Sequence, residues 1–359
     1  MWLLQGFLDR SKQLNQTPNF VKYPEYHPPN NRYKIVHQGL ILPNLPAPLH
    51  YVNFLSIIGQ PNIPTLLNPN SRQTAPLDTA TVICSTSPHI VGQFKRYSIQ
   101  KECHFRPDLF EFSNCEVLEG YFPEFQLLRN DTELTLHLNI QTLPLISYFT
   151  QIRFSLAEHW SVLCKCEGKV IYKGKNYSIA GLGSFEYARS VSFPYLPLNF
   201  FCYQVINISQ NRQLLMEHIR DRFNQIIKSR IYVRDLRHMQ TRMYDENVCF
   251  RVHRIYPLIV TPNGQRMYLP REFEWSYQNE QGDSIMVKGR SRGDFKFGLA
   301  AGYVGSFRYE IKIDQECEQG ESGYCEYIDC RPLIFQEQDK EEKLLDYLAN
   351  PVPIFAKTH

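Results

Sequence analysis

The pattern Gly-x-x-Glu-Tyr occurs twice in this chain, as Gly183-Ser184-Phe185-Glu186-Tyr187 and as Gly323-Tyr324-Cys325-Glu326-Tyr327. Each copy closes a stretch that reads as a strand, so two versions of one β unit are expected. The length of 359 residues agrees, because it exceeds what one core usually accommodates. Aromatic residues make up 13% of the chain, with 23 Phe and 22 Tyr. Such side chains favour pleated surfaces over helical bundles.

Residues 1–77 are read as an N-terminal helix followed by an irregular arm. Pro28-Pro29-Asn30-Asn31 and Pro61-Asn62-Ile63-Pro64 withhold the donors that a strand ladder needs. Within the arm, His50-Tyr51-Val52-Asn53-Phe54-Leu55-Ser56-Ile57-Ile58-Gly59 is apolar enough to dock on a scaffold. From Asp78 the turn signals become regular. Strands are predicted over 79–85, 94–103, 109–118, 122–128, 133–141, 159–167 and 177–188, with Asn130-Asp131 and Lys173-Gly174-Lys175 as turns.

After the break at Phe193-Pro194-Tyr195-Leu196-Pro197 the pattern restarts. Strands are predicted over 201–208, 213–220, 226–234, 248–256, 265–269, 272–277, 284–288, 304–313 and 324–329. Residues 213–237 could also form a helical stripe through Leu214, Leu215, His218, Ile219 and Phe223. The β-branched Ile226, Ile227, Ile231 and Val233 favour strands. Asp339 and Glu342 form a capping-box start for a helix that Asn350-Pro351 ends. The expected architecture is all-β: two antiparallel barrels or half-barrels in tandem, over 78–195 and 196–335, with a C-terminal helix and tail over 336–359.

Several function classes are disfavoured. Lys and Arg outnumber Asp and Glu by only 39 to 36, too little to drive binding to phosphate backbones, so no nucleic-acid partner is expected. No apolar run approaches the roughly 18 residues of a membrane-spanning helix. The first ten residues lack a basic leader, and Asp9 and Arg10 interrupt the apolar stretch, which argues against a signal peptide. Ten cysteines without framework spacing suit a reducing compartment, and the cytoplasm is expected. Cys164 and Cys166 have no second ligand pair, so no metal is expected. A Gly-x-Ser-x-Gly elbow and a glycine-rich phosphate loop are both missing, which speaks against nucleophilic catalysis and against any nucleotide cofactor. Ten basic residues between Arg212 and Arg254, among them Arg220, Arg222, Arg230, Arg234 and Arg237, read as a solvated face, with a carboxylate- or phosphate-bearing ligand head at Arg pairs as the alternative.

Alternation puts Glu186 on one strand face with Ser184 and Leu182, and Tyr187 on the other with Phe185. If the Glu186 face points into a barrel, burial raises its carboxyl into the range of a usable proton donor. The competing expectation is an ion pair with Arg189 or another cation at the barrel mouth. His159 shares a face with Ser161 and Lys165, opposite Trp160, Val162, Cys164 and Cys166. It is expected one or two strands from Glu186, where an imidazole could relay a proton. Its competing expectation is a hydrogen-bonded histidine at the rim.

The order of Gly181-Leu182-Gly183-Ser184-Phe185-Glu186-Tyr187, Pro262-Asn263-Gly264, Tyr268-Leu269-Pro270, Gly305-Ser306-Phe307-Arg308-Tyr309-Glu310 and Gly320-Glu321-Ser322-Gly323-Tyr324-Cys325-Glu326 resembles the tandem lipocalin-like family. That family includes carotenoid 1,2-hydratase (hydroxyneurosporene synthase), AttH-type proteins and certain fungal Diels-Alderases. His50-Tyr51-Val52-Asn53-Phe54 in the arm looks like an uncharacterised bacterial subfamily of this group. The resemblance implies two lipocalin-like barrels, a hydrophobic cavity and, in catalytic members, acid-base chemistry on apolar polyenes without metal or nucleotide. His159, Trp160 and Glu186 are the nearest equivalents of the hydratase His, Trp and carboxylate. This chain departs from the hydratases in carrying Glu for Asp and in placing His and Trp side by side. The expected function is therefore binding of an apolar, lipid- or isoprenoid-like small molecule. Glu186 and His159 are the candidate catalytic residues, and Trp160, Tyr187, His50, Tyr51 and Tyr203 the candidate ligand contacts. A noncatalytic carrier or an interaction scaffold is the alternative.

Overall fold

The computed structural model describes residues 8–16, 23–60, 65–66, 74–191 and 198–331. The predicted C-terminal helix and the proline-punctuated break at 193–197 lie outside the described residues. The first half of the chain supplies β1 (Ile35–Leu42), β2 (Val52–Ile58), β3 (Thr79–Thr86), β4 (Phe94–Ser98), β5 (Cys103–Arg106) and β6 (Leu109–Phe112). It continues with β7 (Glu116–Tyr121), β8 (Glu124–Arg129), β9 (Leu134–Gln151), β10 (Ala157–Tyr172) and β11 (Lys175–Ser190). These form one antiparallel sheet in the order β4-β3-β2-β1-β11-β10-β9-β8-β7-β6-β5.

The second half supplies β12 (Phe200–Ser209), β13 (Arg212–Arg220), β14 (Ile226–Asp235), β15 (Gln240–Tyr244), β16 (Cys249–Ile255), β17 (Ile259–Val260) and β18 (Arg266–Met267). It ends with β19 (Pro270–Gln278), β20 (Ser284–Ser291), β21 (Lys296–Leu299), β22 (Gly302–Ile313) and β23 (Glu316–Asp329). The order here is β15-β14-β13-β12-β23-β22-β20-β19-β16, with β21 on β22 and β17 paired to β18 apart. The nine strands of the second order match the first nine of the first, β4 to β7, so β1 is the counterpart of β12 and β11 of β23, while β6 and β5 extend the first sheet alone. The doubled motif is the visible trace of this duplication.

The stretch read as an irregular arm contributes β1 and β2 to the first sheet. Its prolines flank these strands instead of interrupting them, and every residue of β2 is buried. The predicted strand 94–103 is broken by a helical turn at Ile99–Glu102, and 109–118 by a turn through Ser113 and Asn114, both at positive φ. Residues 213–237 form strands, as their β-branched side chains suggest. The β10–β11 hairpin turns at Lys173-Gly174, with φ of 47° and 75°. Among the described residues no helix is long and apolar enough to cross a membrane.

Each sheet wraps its own apolar core, with Trp160 at the centre of the first and Trp275 of the second. Side chains fill the first interior: the Tyr26 ring lies 5.3 Å from Phe110, 5.5 Å from Phe125 and 5.2 Å from Tyr187. A third cluster joins the units, setting Ile41, Leu55 and Ile83 against Val205, Leu215 and Val304. Each such aliphatic side chain contributes roughly 1.5–3 kcal/mol on burial, so the seam between the units is part of the fold. At one end a short helix, α1 (Ser11–Gln16), crosses it. Asn15 exchanges two hydrogen bonds with the Tyr148 backbone, at 2.7 and 2.9 Å, and the Ser11 hydroxyl accepts from Arg230 at 2.8 Å.

Candidate functional site

The strand register lays two rows of side chains across the seam. In the first sheet Glu186 stands between Ser161 of β10 and Gly39 of β1. In the second sheet Tyr203 stands between Glu326 of β23 and Glu217 of β13. Gly39 and Tyr203 occupy corresponding positions, each opposite the motif glutamate of its own unit. A Cβ on Gly39 would sit 3.0 Å from Leu55, 3.3 Å from Cβ of Glu186 and 3.4 Å from Nε2 of His37. The bare glycine therefore allows Leu55, Glu186 and His37 to pack closely over it.

Glu186 is 2% exposed and is engaged from both units. Its Oε1 accepts from the Tyr203 hydroxyl at 2.5 Å and from the Ser184 hydroxyl at 3.2 Å. Its Oε2 lies 3.8 Å from Nε2 of His159, too far for a hydrogen bond. His37 on β1 and His159 on β10 both pair with Ala188, from opposite sides of β11, which brings their rings to 6.0 Å at right angles. His37 Nδ1 is hydrogen-bonded to the Ser56 carbonyl at 2.8 Å, an arrangement that makes Nδ1 the donor and leaves Nε2 with a free lone pair. Phe149, 4.7 Å from the His159 ring, with Tyr203 and Tyr232 adjoining it, forms an aromatic frame.

Protonation divides unequally among the seam carboxylates. Burial pushes Glu186 upward, but His159, the Tyr203 hydrogen bond and His37 outweigh it and hold the carboxyl below its ordinary 4.5. Burial, reinforced by the charge of Glu186, holds Glu326 well above that value. Burial also raises Glu217 against the pull of Lys228 and Arg230. Burial and the neighbouring His159 bring His37 down to about 4, so its imidazole is neutral at physiological pH.

The structure sorts the sequence candidates into groups. Glu186, His159 and Tyr203 come together as one cluster. Arg189 is not the partner of Glu186; it pairs with Glu158 at 2.9 Å and Glu25 at 2.7 Å, because residues three apart on a strand face opposite ways. Trp160 and Tyr187, with ring centroids 5.2 Å apart, lie in the filled interior behind the sheet and do not face the seam. His50 and Tyr51 lie at another part of the seam. His50 Nδ1 meets the Ser322 hydroxyl at 2.8 Å, while Tyr51 stacks edge-on against Tyr324 and accepts from the buried Lys296 at 2.9 Å. The expectation that burial would raise the Glu186 carboxyl fails, because the contributions of His159, the Tyr203 hydrogen bond and His37 outweigh desolvation. Glu326 and Glu217 hold the raised carboxyls instead.

The solvated-face reading of the basic stretch fails for Arg230 and Arg234, both buried. Arg234 donates to the Ser147 hydroxyl at 3.1 Å, to Gln213 at 3.2 Å and to the Ser161 carbonyl at 2.8 Å, tying the units together under the site. Sequence reasoning missed His37, Glu217 and the role of Glu326. A carboxylate inside the apolar run Leu214-Leu215-Met216-Glu217 was the available signal for Glu217. Among groups able to hold a metal, His37, His159 and Glu186 offer ligand atoms all within 4.8 Å of one another. Further along the same faces of β10 and β11, Lys165, Glu167 and Leu182 border an open cleft of about 1170 Å³ with a mixed lining that includes Asn44, Phe125, Ile140 and Asn207.

Solved structures share this fold at low identity. A protein assigned as AttH from Nitrosomonas europaea aligns with a TM-score of 0.57 and 11% identity, over 88% of this chain and 99% of its own. Kievitone hydratase from Nectria haematococca aligns with a TM-score of 0.52 and 10% identity, over 88% and 95%. CghA, solved with Sch210972, gives 0.50 and 8%, over 88% and 98%. The AttH-type likeness expected from the sequence thus holds for the fold. No curated protein matches the sequence. The model of the family of unknown function DUF6670 matches residues 55–342, most of the chain, and the protein belongs to that family.

Proposed function

We propose that the protein binds an apolar, lipid- or isoprenoid-like small molecule at the seam between its β units, and that Glu186 and His159 carry out acid-base chemistry of the hydratase or isomerase type on it. One observation carries the reading: a buried carboxylate anchored on one oxygen by Tyr203 and Ser184 presents its other oxygen toward His159 inside an aromatic frame. A mostly apolar site with a few convergent polar groups is the usual composition of a small-molecule pocket. The Glu186 carboxylate would accept a proton from the substrate, and His159 would return one. Tyr203 fixes the carboxylate's orientation. The shared fold with kievitone hydratase, itself a hydratase, supports this class of chemistry by analogy.

Native mass spectrometry of gently purified protein should reveal a copurified apolar molecule. With that molecule or its precursor as substrate, Glu186→Gln should retain binding and lose turnover. Wild-type turnover in that variant would refute the assignment. Binding without turnover in the wild type would make the protein a carrier.

A further inference from the structure

The one-sided anchoring of Glu186 and the tautomer of His37 have a second meaning. A divalent transition metal bound by imidazole nitrogen and carboxylate oxygen takes bonds of about 2.0–2.1 Å, which places ligand atoms roughly 3.3 Å apart in a tetrahedral shell. His159 Nε2 and Glu186 Oε2 stand at 3.8 Å, and the full set of three lies within 4.8 Å. The three ligands come from three adjacent strands of one sheet, β1, β11 and β10, and so converge from one side.

The surroundings are those of a ligand set already oriented. Ligating histidines typically donate their second ring N–H to a carbonyl, and ligating carboxylates are themselves hydrogen-bonded. His37 is held this way by the Ser56 carbonyl at 2.8 Å. Glu186 is held on Oε1 by Tyr203 at 2.5 Å, which leaves Oε2 for a further contact. His159 Nε2 is buried and has no hydrogen-bond partner, a costly state for such an atom unless something else engages it. Gly39 lets His37 and Glu186 approach the backbone between them, since a Cβ there would crowd both side chains.

We propose that His37, His159 and Glu186 form a three-ligand site for a divalent transition-metal ion. Two histidines and one carboxylate is the donor set of catalytic zinc and of non-haem iron(II) sites. The inference goes beyond the small-molecule reading and does not depend on it. It uses the same Oε2 of Glu186 and Nε2 of His159, so an ion there would take the place of proton transfer between these groups and a substrate.

The test uses the full-length protein, stripped with a chelator and titrated with Co²⁺ in the absence of any organic ligand. We expect saturable uptake of one ion per chain, with the visible absorption of low-coordinate cobalt, and displacement by Zn²⁺. His159→Gln and His37→Gln, each checked for native circular dichroism, should abolish the spectrum. Tyr203→Phe should weaken binding by about ten- to a hundredfold, as loss of an outer-shell partner does. Absence of saturable uptake by folded wild-type protein, or uptake that persists in both histidine variants, overturns the proposal. Loss of turnover in Glu186→Gln fits either reading, so the two are separated by the metal: undiminished turnover of chelator-stripped wild-type protein supports direct proton transfer and leaves the metal proposal to the cobalt titration alone.

Discussion

Removing one oxygen atom, by Tyr203→Phe, tests whether the seam is organised around the Glu186 carboxylate. The hydroxyl bonds Oε1 at 2.5 Å, and both residues are 2% exposed, so solvent screening is slight. A hydrogen bond to a charged group contributes about 1.5–3 kcal/mol, against about 0.5–1.5 for a neutral one. Tyr203→Phe should therefore cost about 1.5–3 kcal/mol in the native background. In a Glu186→Gln background, where the acceptor is neutral, it should cost about 1 kcal/mol. The coupling energy from the double-mutant cycle should be about 1–2 kcal/mol. Urea denaturation at neutral pH would measure it, with Trp160 reporting on the first core and Trp275 on the second; coincident transitions would show that the seam makes the units unfold together.

The sign of its pH dependence follows from the carboxyl. Glu186 is held below its ordinary 4.5, so its stabilisation is present above that pH and is lost as the pH falls through the lower folded value. The cost of Tyr203→Phe should shrink over the same acid range. A cost below about 0.5 kcal/mol, or an equal cost with and without the Glu186 charge, would refute the argument.

The second motif glutamate has the opposite sign. Glu326 is held above 4.5 by burial and the charge of Glu186, so the folded state keeps a proton that the unfolded state gives up, and stability falls as pH rises above 4.5. Glu326→Gln should remove part of that slope and raise the melting temperature at pH 8 more than at pH 5; an unchanged slope in differential scanning fluorimetry would contradict the assignment. A purely structural prediction concerns Arg129, fully buried with Glu116 at 2.7 Å, whose other oxygen accepts from Tyr97 at 2.6 Å. Arg129→Met strands that carboxylate and should cost about 3–5 kcal/mol in urea denaturation, whereas a loss under about 1 kcal/mol would mean the pair is dispensable.

Short-range patterning made part of the site legible. Glu186 with Ser184, and His159 with Ser161, could be assigned to faces because period-two alternation is local. The tight turn at Lys173-Gly174 then sets β10 against β11 in a register that brings His159 toward Glu186. The duplication could be read from the repeated motif because both copies close equivalent strands, β11 and β23.

The sequence alone determined the all-β class, the twofold repeat and which residues share a strand face. Tertiary structure decided which face turns inward and what meets it. His37 reaches the site because β1 pairs with β11 across some 150 residues of chain, and Tyr203, Glu217 and Glu326 reach it because the units pack face to face. Strands β1 and β2 escaped notice for the same reason: nearly all their residues are buried, so the alternation that marks a half-exposed strand is missing. Side-chain period tells two faces apart but does not say which is the core. Here both are covered, one by its own barrel and the other by the neighbouring unit, and the polar residues on the second face acquire their protonation states only when the two units close on them.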